Sequence, residues 1–139
     1  MTSSSATLGK RGGRRILVVD DEPGILQYIR RVLEHGNHTV LTSRSGEHAW
    51  GVVQRNQAEL DLVLTDIIMP GSIDGRALAA RIDRRYQKLP VLLMTGALAE
   101  NDEHAVEMTQ KGRLLRKPFF PRQLVEFIDS HFRESKAET

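Results

Sequence analysis

The chain has 139 residues, of which 40% are hydrophobic, a formal net charge of +2 and no cysteine, which suits one domain with one proper core. Charges of both signs are spread along it without the long basic face that duplex nucleic acid requires, so no nucleic-acid partner is expected. The lack of cysteine removes disulfides, thiolate zinc sites and cysteine nucleophiles.

The longest apolar runs, "ILVV" and "VLLM", are far too short to span a bilayer, and the amino terminus lacks the apolar core of a signal peptide. The expectation is a soluble, cytoplasmic protein without a membrane partner. Residues 1–13, "MTSSSATLGKRGG", are polar and small with no helical or strand period, and read as a disordered tail. The "KRGGRR" segment is a single copy without aromatic neighbours, so it reads as solvated basic chain and not as an RNA-binding arginine–glycine tract.

Short β-branched runs then alternate with helical periods. "RILVV" is followed by Pro23 to His35, where Ile25, Leu26, Ile29, Val32 and Leu33 share one stripe, closed by Gly36. "HTVLTS", a helix from Gly46 to Asn56, and "LDLVLTD" come next. A loop with Pro70 and Gly71 leads to a helix from Gly75 to Arg85, then "PVLLMT", a polar helical segment from about Asn101 to Gln110, "RLLRKP", and a last helix from Pro121 to about His131. This order predicts one α/β domain over residues 14–133, with a short tail over 134–139: five parallel strands covered by five helices.

In such a sheet, ligands bind outside the carboxyl ends of the strands. The first strand ends in Asp20 and Asp21, the third in Asp66, the fourth in Thr95 and the fifth in Lys117. Each has an ordinary reading: Asp21 as a cap of the first helix, Asp66 and Thr95 as turn residues, Lys117 as a solvated charge. A cap needs one acid, however, and this edge receives three. Clustered like charges call for a cation, and an oxygen-only donor set without cysteine or suitably spaced histidine calls for a hard one, magnesium or manganese.

These residues sit in four motifs, "VVDDEP", "LTDIIMPGSIDG", "MTG" and "LLRKPF", in order from about Arg14 to His131. Through them the chain resembles the receiver domain of bacterial two-component response regulators. The resemblance implies a flavodoxin-like, doubly wound sheet of strand order 2-1-3-4-5. It also implies a signalling phosphoacceptor, not an enzyme, that promotes its own phosphorylation and dephosphorylation. Asp66 would take a phosphoryl group from the phosphohistidine of a histidine kinase or a histidine phosphotransfer protein. Asp21, Asp66 and the backbone carbonyl of Ile68 would ligate Mg²⁺, with Asp20 acting mainly through a bound water. Lys117 would pair with one phosphoryl oxygen and Thr95 would hydrogen-bond another, and the Lys117–Pro118 peptide would be cis. The phosphorylated form would switch a surface that binds a downstream target protein.

Three departures from the family pattern stand out. The segment from Asp66 to Gly75 has one residue more than the commonest form, similar to receivers of hybrid kinases. Leu114 stands three residues before Lys117, where many receivers carry tyrosine or phenylalanine. The chain ends soon after the last helix, so a DNA-binding effector domain is not expected. A stand-alone regulator, a phosphorelay shuttle, a module detached from a hybrid kinase and a phosphorylation-independent interaction module are the alternatives in context. A nucleotide-binding enzyme is disfavoured, because "DDEPG" puts acids where a glycine-rich loop would cradle phosphate. With Leu114 in place of an aromatic, coupling is expected to rest on Thr95, the loop from Gly96 to Asn101 and the following helix. Trp50 and the five histidines read as packing or surface residues.

Overall fold

The computed structural model describes residues 13–96 and 103–138. Five strands, β1 (Arg15–Val19), β2 (Thr39–Ser43), β3 (Leu62–Asp66), β4 (Val91–Thr95) and β5 (Leu114–Arg116), alternate there with five helices. These are α1 (Pro23–His35), α2 (Gly46–Asn56), α3 (Gly75–Arg85), α4 (Glu103–Gln110) and α5 (Pro121–Glu138). Every strand pair is parallel and the order is β2-β1-β3-β4-β5, the flavodoxin-like doubly wound sheet expected. The amino-terminal tail before Gly13, and the loop expected after Gly96, lie outside the described residues.

The runs without polar alternation are strands buried on both faces. Ile16, Leu17, Val18 and Val19 are all fully buried, and successive side chains enter different cores. Ile16, Val18, Leu62, Leu64, Leu92 and Met94 pack with Leu26, Ile29 and Leu33 of α1 and Leu124 and Ile128 of α5. Leu17, Val19 and Val63 pack with Ala49, Val52 and Val53 of α2 and Leu78 and Ile82 of α3. A smaller cluster joins Ile67, Leu93 and Leu114 to Ala105 of α4. Each fully buried leucine or isoleucine contributes roughly 1.5–3 kcal/mol of transfer free energy, so the two large clusters hold the central strands fixed.

Helix α1 ends at His35 as expected but with a different cap geometry, and α5 ends later than expected. Gly36 follows α1 but has φ −87°, and the left-handed residue is Asn37 at φ 73°. Asn37 N–H donates to Glu34 O at 2.9 Å and His38 N–H to Leu33 O at 3.1 Å, which is the Schellman pairing with asparagine in the glycine position. Helix α5 runs to Glu138, past the end expected near His131. The apolar stripe of the sequence stops at Phe132, but "RESKAE" consists mostly of strong helix formers, which favours continuation of the helix. No helix among the described residues is long and apolar enough to cross a membrane.

Candidate functional site

Register brings the polar strand ends to one edge. Val19 pairs with Thr65, so the residues that follow them are Asp20 and Asp66; Asp66 pairs with Met94, which places Thr95 one step further. Ile67 N–H donates to Met94 O at 2.9 Å and Lys117 N–H to Thr95 O at 2.7 Å. The Lys117–Pro118 peptide is cis, as expected. Lys117 Nζ donates to Asp20 Oδ2 at 2.6 Å and to Asp66 Oδ2 at 3.3 Å. One carboxylate oxygen from each of Asp20, Asp21 and Asp66 falls within 4.8 Å of the others. Thr95 is buried at the end of the neighbouring strand.

The ordinary readings of Asp21 and Lys117 do not hold. Helix α1 takes Glu22 as its N-cap and has no side-chain cap bond, so Asp21 does not cap it. Asp20 is fully buried and its Oδ1 accepts Glu22 N–H at 2.9 Å, a turn that aims its other oxygen at Lys117. Lys117 is only 12% exposed at its side chain, far from a solvated charge. Trp50 packs on Tyr86, ring centroids 5.8 Å apart, in keeping with a packing role.

Electrostatics set the character of the pocket. Burial pushes the Asp66 carboxyl up to about 6, against the attraction of Lys117 and with the charges of Asp20 and Asp21 adding to the rise. Burial works against the Lys117 ammonium, but its bond to Asp20 and the charges of Asp66 and Asp20 outweigh that and raise its pKa. One ammonium facing three carboxylates leaves an excess of negative charge in a poorly solvated place. That excess, and a donor set made only of oxygen, fit a hard divalent cation. The main chain of Ile68 lies two residues beyond Asp66, and its side chain is 61% exposed.

Two supports escaped the sequence reading. A Cβ on Gly75 would lie 1.9 Å from Asp66 O, and Gly75 N–H donates to Ile67 O at 2.8 Å, so α3 begins hard against the end of β3. Tyr28 of α1 donates its hydroxyl to Phe119 O at 2.8 Å, with the two rings 5.9 Å apart, fixing the segment just beyond Lys117. Tyr28 lies on the α1 stripe, three residues after Ile25, and its spacing could have marked it. Nothing local singles out Gly75, because the contact it permits is tertiary.

The geometry agrees with comparisons to known proteins. The response regulator receiver domain family matches residues 16–129. The response regulator GtcR of Aneurinibacillus migulanus is 30% identical over 122 residues, covering 88% of this chain and 49% of that protein. The transcriptional regulatory protein TcrA of Mycobacterium tuberculosis is 38% identical over 111 residues, covering 80% of this chain and 43% of its own length. The chain thus spans about half the length of these relatives. Among solved structures, a response regulator receiver domain protein from Clostridium thermocellum matches with a TM-score of 0.76 and 29% identity, covering 91% of this chain and 99% of that one. A similar protein from Methanospirillum hungatei gives 0.75 and 26%, covering 91% and 99%. With the motifs at four strand ends, the sheet order and these likenesses in agreement, the chain belongs to the response regulator receiver domain family.

Proposed function

We propose that the chain is a phosphoacceptor whose Asp66 takes a phosphoryl group from a phosphohistidine on a histidine kinase or phosphotransfer protein. The observation that carries this reading is the convergence of Asp20, Asp21, Asp66 and Lys117 within hydrogen-bonding or ligand distance at one sheet edge. An Asp66 carboxylate oxygen attacks phosphorus in line; the new P–O bond forms as the P–N bond breaks, and the donor imidazole leaves with the bonding pair and takes up a proton. Lys117 already donates to Asp66 and can follow the negative charge onto a phosphoryl oxygen, while the Thr95 hydroxyl donates to another. Asp20, Asp21, Asp66 and the Ile68 carbonyl would hold Mg²⁺, whose charge neutralises the carboxylates and the equatorial oxygens.

Asp66 suits the task because it is buried enough to be poorly solvated and nucleophilic, yet open at the strand end. The product is an acyl phosphate, a labile mixed anhydride, so the signal can be erased by hydrolysis. The chain is then the substrate and switch of a signalling transfer and not a turnover enzyme, working in the cytoplasm and passing its state to a target protein. Labelling with radioactive acetyl phosphate and Mg²⁺ tests this. Wild type is expected to take up label, Asp66→Asn and wild type in EDTA are not. Equal labelling of wild type and Asp66→Asn refutes the assignment.

A further inference from the structure

Glu47 stands in the first turn of α2, exposed, outside the carboxylate cluster. Its Oε2 accepts three hydrogen bonds from the segment that follows β3: from Ser72 Oγ at 2.6 Å, from Ser72 N–H at 2.7 Å and from Ile73 N–H at 3.3 Å. Gly71 passes this carboxylate so closely, at φ 104°, that a Cβ would sit 2.9 Å from Oε2. Next to it, a Cβ on Gly46 would lie 1.9 Å from Ile73 O. The start of α2 and the backbone of Gly71 to Ile73 are therefore seated on one another, with an anionic clasp across the seam. The Ser72 hydroxyl, then the Glu47, Ser72 and Ile73 backbone amides, hold the carboxyl down at about 2.

The gripped segment is the far side of a loop with a catalytic near side. From Asp66 the chain leaves the sheet and returns at Gly75, closed at its base by the Gly75–Ile67 bond of 2.8 Å. Within it, Met69 and Ile73 are buried anchors, whereas Ile68, Pro70, Gly71 and Ser72 are exposed. The tip, Pro70 to Ser72, has no buried side chain to hold it. A left-handed glycine there gives the backbone freedom that hydrophobic packing does not remove. Three charge-assisted bonds to one oxygen do remove it.

We infer that Glu47 is a positioning residue for the phosphoacceptor site: its clasp on Ser72 and Ile73 fixes the loop that presents the Ile68 carbonyl to the divalent cation. Cation affinity then depends on a side chain that touches neither the cation nor the phosphoryl group, as outer-shell supports do in other metal sites. This rests on the reading of the Ile68 carbonyl as a ligand. No local pattern announces it, since the partners stand 25 residues apart and meet only in the fold.

The test is Mg²⁺ titration calorimetry on the full chain, together with amide hydrogen exchange in the absence of metal. Glu47→Ala is expected to weaken Mg²⁺ about tenfold and to speed exchange at Ser72 and Ile73. Glu47→Gln, which keeps an acceptor oxygen without the charge, should fall between, and it serves if the alanine variant does not fold. Asn56→Ala removes a bond of 2.8 Å to Val52 O at the other end of α2; it should lower thermal stability and leave Mg²⁺ affinity unchanged. Mg²⁺ affinity within twofold of wild type in Glu47→Ala, with faster exchange at Ser72, makes the clasp merely structural and overturns the inference while the functional reading stands. Unchanged exchange, or an equal loss of affinity in Asn56→Ala, overturns it too. Wild type that binds no Mg²⁺ overturns the functional reading itself, and the inference with it.

Discussion

Replacing Gly75 by alanine perturbs the site through a single methyl group. Built on the native backbone, that carbon lies 1.9 Å from Asp66 O and 2.7 Å from the Ile67 Cα, where ordinary contact begins at 3.4 Å. Both obstacles are main chain and cannot swing aside, so about 1.5 Å of separation must open between α3 and the end of β3. Helix α3 resists the move, because Asp74 caps it through Ala77 N–H at 3.0 Å and Leu78 and Ile82 are fully buried. Overpacking of this kind costs roughly 1–3 kcal/mol, and loss of the Gly75–Ile67 hydrogen bond adds about 1 kcal/mol. A destabilisation of about 3 kcal/mol is expected from urea unfolding. Any part of the movement taken up by Asp66 would displace the oxygen proposed to attack phosphorus, and a misplacement of about 1 Å should slow phosphoryl uptake from acetyl phosphate on the order of a hundredfold. Gly24 is the control: nothing lies within 4 Å of its virtual Cβ in the first turn of α1. Gly24→Ala should stabilise by about 0.5 kcal/mol and label like wild type. A Gly75→Ala protein as stable as wild type and labelled at its rate would refute the reasoning.

Tyr28→Phe removes the hydroxyl that donates to Phe119 O at 2.8 Å and should cost about 1 kcal/mol in urea unfolding; a loss below a few tenths would show the bond to be dispensable. His38 accepts Arg14 N–H at Nδ1, and burial, opposed by Asp129 and reinforced by Arg14, depresses its pKa below 6.5. The unfolded chain therefore takes up that proton first as pH falls below 6.5, so the His38 contribution is whole above 6.5 and is lost as pH drops through the folded value. Asp66, raised to about 6 in the metal-free protein, has the opposite sign, favouring the fold at low pH and losing that as pH rises through 6; urea midpoints at pH 7.5 and 5 are thus compared in Asp66→Asn. There the midpoint should fall at pH 5, and His38→Gln should reduce the fall; an equal fall in both would show that His38 is not its source. Thr95→Val should take up phosphoryl label yet leave exchange of α4 unchanged on adding beryllofluoride, where wild type responds; an undiminished response in Thr95→Val would remove the hydroxyl from the coupling.

What was legible in the sequence follows the range of the interaction concerned. Helices α1, α2 and α3 begin and end where apolar period, proline and caps place them, since those signals act within a turn or two. The site residues were legible because parallel strands deliver their last residues to one edge, so "VVDD", "LTD", "MT" and "RK" need only be placed in order. The Asn37 turn was missed because Gly36 is adjacent and is the commoner left-handed residue. The end of α5 was missed because no apolar stripe marks its last turns. Glu47, Gly75 and the partner of Tyr28 were out of reach for a different reason: each works by touching main chain far away in sequence, and such contacts leave no period and no motif.

The two sides of the site are anchored with unequal strength, and this bears on how a phosphoryl group could be read out. Asp20 and Asp66 end strands sealed in the large clusters, and the loop after Asp66 is tied by Gly75 and Glu47. Helix α4 buries only Ala105, whereas α1 and α3 each bury three residues and α2 four. Ala105 meets Leu114, Leu93 and Ile67 in one small cluster, and Ile67 is the residue directly after Asp66. An aromatic at position 114 would carry information by turning a ring between solvent and core, but leucine has no polar tip and little difference in solvation between such states. Contact within the cluster is what remains: a shift at the end of β3 would reach Leu114 and Ala105 through Ile67. Burying one alanine methyl is worth about 0.8 kcal/mol, the same order as the 0.5–1.5 kcal/mol net of one hydrogen bond, roughly what a Thr95 hydroxyl gains or loses. A single new bond at the strand edge is therefore a larger fraction of the packing that holds α4, where Ala105 is buried and Met108 partly so, than of the packing that holds α1.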